Sequence, residues 1–98
     1  MEIIKVKNAS DLALTVKGRL DTTTAPQLEA VINSDLGGVT SLVLDFEALE
    51  YISSAGLRVL LAAQKIMNRQ GKMVIRNVND DIREVFDITG FADILTIE

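Results

Sequence analysis

Apolar and polar positions alternate near the start of the chain and then change to a helical spacing. Leu12, Leu14 and Val16 alternate with Ala13, Thr15 and Lys17, the period of a strand with one buried face. Ile3 to Lys7 supplies a partner strand, and Asn8-Ala9-Ser10 between them predicts a hairpin. Ala25, Leu28, Val31, Ile32 and Leu36 then recur as one helical stripe that Gly37-Gly38 ends. Thr24-Ala25-Pro26-Gln27 predicts a capping box with an early proline at the start of that helix. Leu42 to Phe46 is a short apolar run suited to a central strand, and from Leu57 a long helical pattern begins. Lys72 to Arg76 encloses the apolar run Met73-Val74-Ile75 of another strand. Asn79 can cap a following helix that carries Asp80 and Asp81 in its first turn and that Gly90 can end. Ile94 to Ile97 predicts a last short strand. Strands alternating with helices after a hairpin predict an α/β fold: a mixed sheet, parallel after the hairpin, packed with three to four helices.

Composition narrows the classes of function. With 98 residues, 48% of them hydrophobic, one Pro and six Gly, the chain reads as one domain, residues 1–98, without a low-complexity linker. Ten Lys and Arg against 14 Asp and Glu give a net charge of −4, which argues against binding a phosphate backbone. There is no Cys, hence no disulfide framework and no thiol chemistry. No segment approaches the ~18 apolar residues of a membrane span, and Met1 to Lys7 lacks the apolar region of a signal peptide. A cytoplasmic location, without membrane insertion, is the expectation.

The run from Tyr51 to Arg58 concentrates the candidate chemistry. Ser53 and Ser54 stand between a strand and an apolar helix, where the first helical N–H groups lack intrahelical partners. A hydroxyl there caps the helix, and a phosphate there meets a favourable dipole. On local chemistry alone a plain cap is the simpler reading. Along the helix, Arg58, Lys65 and Arg69 share one narrow arc, either a solvated stripe or a surface for an acidic partner. Arg58, four residues after Ser54, is also placed to hold a phosphate.

Catalysis by the chain is disfavoured. It has no histidine, the usual base for a serine nucleophile, and Ile52 stands where a nucleophile elbow needs glycine. A Ser–Lys dyad through Lys65 or Lys72 has no supporting spacing. Asp21, Asp45, Glu47 and Glu50 are carboxylates without a nucleotide cradle, so no metal or cofactor is expected. Asp45 and Asp21 are better placed to accept loop N–H groups at one end of the sheet.

Asp45 to Ala63, DFEALEYISSAGLRVLLAA, resembles the signature of the STAS domain, the family of bacterial anti-sigma-factor antagonists and related modules. Gly18 to Leu28 is similar to the family's other recurrent segment, and the likeness runs the length of the chain. The resemblance implies a non-enzymatic switch. The serine two residues before the motif glycine accepts phosphate in regulated members, and that position is Ser54. Those members often carry Asp before the acceptor and Ser or Thr after it, where this chain has Ser53 and Ala55, which keeps Ser53 as a second candidate. The implied partner surface comprises Asp21, Thr22, Ser53, Ser54, Ala55, Gly56, Leu57 and Arg58. The implied partners are an anti-sigma factor with serine kinase activity and a phosphatase that reverses the modification. STAS domains also serve as constitutive subunits of signalling and transport assemblies, in which Ser54 would be a cap alone.

Overall fold

The structure is a computed structural model that describes residues 1–98. Two strands open it, β1 (Glu2–Asn8) and β2 (Asp11–Leu20), followed by α1 (Ala25–Asp35), β3 (Ser41–Asp45) and β4 (Leu49–Ile52). Then come α2 (Ser54–Gln70), β5 (Lys72–Arg76), α3 (Asp80–Thr89) and a short 3-10 turn, Phe91–Asp93. β1 and β2 form the expected antiparallel hairpin, and β2–β3 and β3–β5 are parallel, giving the order β1-β2-β3-β5.

β2 runs longer than its alternating residues suggest, because its two ends serve different partners. Asp11 to Thr15 pair with β3, whereas Gly18 to Leu20 pair with β4 after a register shift between Gly18 and Arg19. Gly18 has φ +94°, a conformation that costs glycine little, so the residue at the shift is the one that tolerates it. β4 has no counterpart among the sequence-based expectations. Its four residues show burial at Leu49 and Ile52 only, too short a pattern to read as a strand period.

The sheet is covered on one face. Leu12, Leu14 and Val16 of β2, Leu42 and Leu44 of β3, and Met73 and Ile75 of β5 are buried, while the alternate positions Ala13, Thr15, Val43 and Val74 are partly or fully exposed. Against the covered face lie Leu28 and Ile32 of α1, Leu60, Ala63 and Met67 of α2, and Ile82 and Phe86 of α3, all within one core of 24 buried residues. Each large side chain so buried contributes about 1.5–3 kcal/mol as an upper figure, since the unfolded chain already buries part of it.

Element ends carry the corrections. Thr24 is the residue before α1, but its hydroxyl does not cap the helix; it accepts from the Asp21 amide at 2.8 Å and donates to the Arg19 carbonyl at 2.8 Å. Its backbone is already helical (φ −101°, ψ −21°), which turns the side chain away from the N–H groups a cap would serve. The expected last strand over Ile94 to Ile97 reduces to one bridge between Ile75 and Ile97, because the chain turns through Phe91–Asp93 first and only its end reaches β5. Asn79 caps α3 as expected, its side chain accepting from the Ile82 amide at 2.8 Å, and Gly90 ends it in the left-handed region.

The ends of α1 and α2 are tied together. The Gln70 amide donates to the carbonyls of Leu36 at 2.5 Å and Val39 at 2.6 Å in the turn after α1, where the Leu36 carbonyl also accepts from the Val39 amide at 3.1 Å. No helix is long and apolar enough to cross a membrane.

Candidate functional site: the β4–α2 junction

The junction is built from β2, β4 and the first turn of α2. The Ser53 amide donates to the Leu20 carbonyl at 2.9 Å, which fixes the last residue before α2 against the end of β2. Ser53 is extended (φ −98°, ψ 176°), and its hydroxyl accepts from the Gly56 amide at 3.4 Å. It is therefore the N-cap. Ser54 is the first residue of the helix and is exposed. The two serines thus divide: one hydroxyl is engaged in ending the helix and the other faces solvent.

Gly56 is what lets α2 start so close to the sheet. A Cβ on it would stand 2.7 Å from Leu20 Cγ and 2.9 Å from Ile52 Cγ1, both buried side chains. Leu57 is buried behind it, Ala55 is half-buried at the surface, and Arg58 is exposed one turn beyond Ser54.

Across the junction, the β2–α1 loop is organised by Asp21. Its Oδ1 accepts from the Thr23 amide at 3.0 Å, the Thr23 hydroxyl at 2.8 Å and the Thr24 amide at 3.1 Å. The Thr23 hydroxyl is the main cause that holds the Asp21 carboxyl below its ordinary value, with the Thr24 amide adding to it against a desolvation effect of opposite sign. The sequence-based role of Asp21 as an acceptor of loop N–H groups therefore holds, and so does that of Asp45, which accepts from the Glu47 amide at 3.0 Å and the Asn77 side chain at 3.1 Å. The two carboxylates share no partner. No group of three or more acidic, His or Cys side chains is placed to hold a metal ion.

A shallow groove of about 190 Å³ lies between the first turns of α1 and α2, lined by Thr22, Ala25, Pro26, Glu29, Ala55, Arg58 and Val59. That is below the roughly 300–1,000 Å³ of pockets that enclose small ligands, so its shape suits a surface contact. Thr22, Ala55 and Arg58 are brought together there, Asp21 organises the loop beside Thr22, and Gly56 and Leu57 act beneath the surface as packing.

One feature of the junction escaped sequence reasoning. Arg19 of β2 and Tyr51 of β4 are register partners, and the guanidinium carbon lies 4.2 Å from the ring centroid. Tyr51 is 41% exposed, and Arg19 Nε is 3.9 Å from Asp21 Oδ2. The pair is 32 residues apart in sequence and becomes adjacent only because β4 pairs with the end of β2; Tyr51 beside the two serines was the only available signal. Farther along α2, Lys65 and Arg69 are exposed beside Ile66 and Gln70, in line with a solvated stripe.

The geometry agrees with what the chain is similar to. The STAS domain family pattern matches residues 2–98. BtrV of Bordetella bronchiseptica, described as a candidate anti-sigma factor antagonist, is 40% identical over 88 residues, 88% of this chain and 76% of its own. The anti-sigma-B factor antagonist of Listeria monocytogenes is 31% identical over 97 residues, 97% of this chain and 85% of its own. Among solved structures, an anti-sigma factor antagonist from Mycobacterium paratuberculosis superposes with a TM-score of 0.88 at 23% identity, covering 98% of this chain and 83% of that one. Bacillus SpoIIAA in its phosphorylated form gives 0.77 at 21%, over 99% and 91%. A sulfate transporter family protein from Wolinella succinogenes gives 0.77 at 18%, over 93% and 75%. With the pattern spanning nearly every residue and relatives above 30% identity over most of their length, the chain belongs to the STAS domain family.

Proposed function

We propose that the chain is an anti-sigma factor antagonist, a cytoplasmic binding protein without catalytic activity of its own, switched off by phosphorylation of Ser54. The observation that carries the reading is the division of labour between the serines: Ser53 is used as the cap, and Ser54, at the position the family modifies, is exposed. Two relatives bear antagonist names, and a neighbour in fold was solved carrying phosphate. The partner is an anti-sigma factor that is also a serine kinase. It transfers the γ-phosphoryl group of ATP to Ser54 Oγ, with loss of the hydroxyl proton and release of ADP, and a phosphatase hydrolyses the ester back. The unmodified form binds the anti-sigma factor through the junction and its groove and so frees a sigma factor.

Magnitudes make such a switch workable. The phosphate adds about −1.5 to −2 charges at the first residue of α2, which the domain tolerates, since a negative group there is worth about 0.3–1 kcal/mol in favour of the fold. Pressed unpaired against a partner, the same charge costs about 2–5 kcal/mol, or roughly 30-fold to several thousand-fold in affinity. The test is quantitative capture from the native lysate with tagged wild type, Ser54→Ala and Ser54→Asp, with captured proteins identified by mass spectrometry. Recovery of an ATP-binding kinase-like protein by the first two and its loss with the third is the expected result. Equal recovery by all three refutes the switch and leaves a constitutive STAS subunit, the reading suggested by the likeness to a transporter family protein.

A further inference from the structure

Arg58 stands between the acceptor serine and the groove. Successive helical residues step by about 100°, so Arg58 lies about 40° from Ser54 on one side and about 60° from Ala55, a groove residue, on the other. Side chains on a helix lean toward its N-terminus, so the turn that carries Ser54 is within reach of the Arg58 side chain from its place in the groove. The guanidinium is exposed and belongs to none of the three ion pairs, Lys5–Asp35, Arg19–Asp21 and Arg76–Glu98. On the groove's other wall the only charged residue is Glu29.

We propose that Arg58 is an intramolecular receptor for a phosphate on Ser54, leaving the groove when the phosphate arrives. The inference rests on Ser54 being the acceptor. A guanidinium matches two phosphate oxygens with paired N–H groups, and a phosphate near −2 attracts it more than the single charge of Glu29 does. Once Arg58 is drawn to the phosphate, Glu29 is the remaining charge at the groove. Phosphorylation then changes the partner surface beyond the serine: the modified turn becomes a closed ion pair and the groove between α1 and α2 turns from mixed to acidic.

The experiment installs phosphoserine at position 54 of the full chain during translation, so neither kinase nor partner is required. The second ionisation of the phosphate is followed by phosphorus NMR against pH in otherwise wild-type protein, in Arg58→Gln, in Arg58→Lys and in Lys65→Gln, with circular dichroism confirming that each is folded. Arg58→Gln is expected to lower that ionisation constant about twofold or more, the scale of an exposed pair one turn apart. Lysine is expected to restore part of the effect, and Lys65→Gln, two turns farther on, to overlie wild type. Overlay of Arg58→Gln with wild type, or an equal shift from Lys65→Gln, overturns the proposal. Should the titration shift hold while Ser54→Asp keeps its partner, the switch falls and the receptor stands; the opposite pair of results removes only the receptor.

Discussion

Replacing the two serines one at a time separates a structural hydroxyl from the one proposed to be modified. Ser53→Ala removes the N-cap of α2, a change that costs about 0.5–2 kcal/mol in general. Here the hydrogen bond to the Gly56 amide is 3.4 Å long, at the weak end of the range, so about 0.5–1 kcal/mol is the expected loss. For a domain of this size, where 1 kcal/mol moves the melting temperature by about 4–8 °C, that is a fall of roughly 2–8 °C. Ser54→Ala removes an exposed hydroxyl from the first helical position and supplies the best helix former, so stability should stay within about 0.5 kcal/mol of wild type. Thermal melts and urea titrations followed by circular dichroism measure both, and m-values unchanged from wild type confirm that the folded and unfolded states remain comparable. Partner capture should survive both alanines. If Ser54→Ala costs as much as Ser53→Ala or more, Ser54 is the true cap and its hydroxyl is not free for modification.

Two further outcomes follow from other parts of the molecule. A Cβ on Gly71 would stand 1.9 Å from the Thr40 carbonyl oxygen, the group that accepts from Lys72 as β5 begins, so Gly71→Ala forces two backbones apart and should cost about 3 kcal/mol or more. Gly37→Ala meets nothing within 4 Å and should be neutral or slightly stabilising; equal melting temperatures for the two variants would contradict the close approach. Because hydrogen bonds lower the Asp21 carboxyl below its unfolded value, its contribution is complete above the ordinary carboxylate range and is lost as pH falls through the lowered value. The gap in melting temperature between wild type and Asp21→Asn should therefore close as pH is taken from 7 to about 2, and a gap that widens on acidification would reverse the assigned sign.

Much of the site was readable along the chain. Ser53, Ser54, Gly56 and Arg58 are neighbours in sequence, and the change from strand to helical spacing at Leu57 locates them at a helix start without any tertiary information. The loop role of Asp21 was equally legible, since Asp bonds to N–H groups two and three residues on by local geometry. Thr24 misled because a capping-box pattern specifies residue types but not the backbone conformation of the first residue, and the Asp21 turn had already set that conformation. Ile94 to Ile97 misled because β propensity cannot say how many residues the chain will spend turning after Gly90.

The sequence by itself determined the order of most elements, the hairpin, the buried stripe of α1 and the place of the two serines at the start of α2, because each depends on spacing within one segment. Only the tertiary structure decided which serine is the cap, why Gly56 and Gly71 have no side chain, and that Arg19 stacks on Tyr51. It also decided that Glu29 and Arg58 face one groove. Those facts depend on the distance between segments 29 or more residues apart or on one backbone angle, and hydrophobic period carries no information about either.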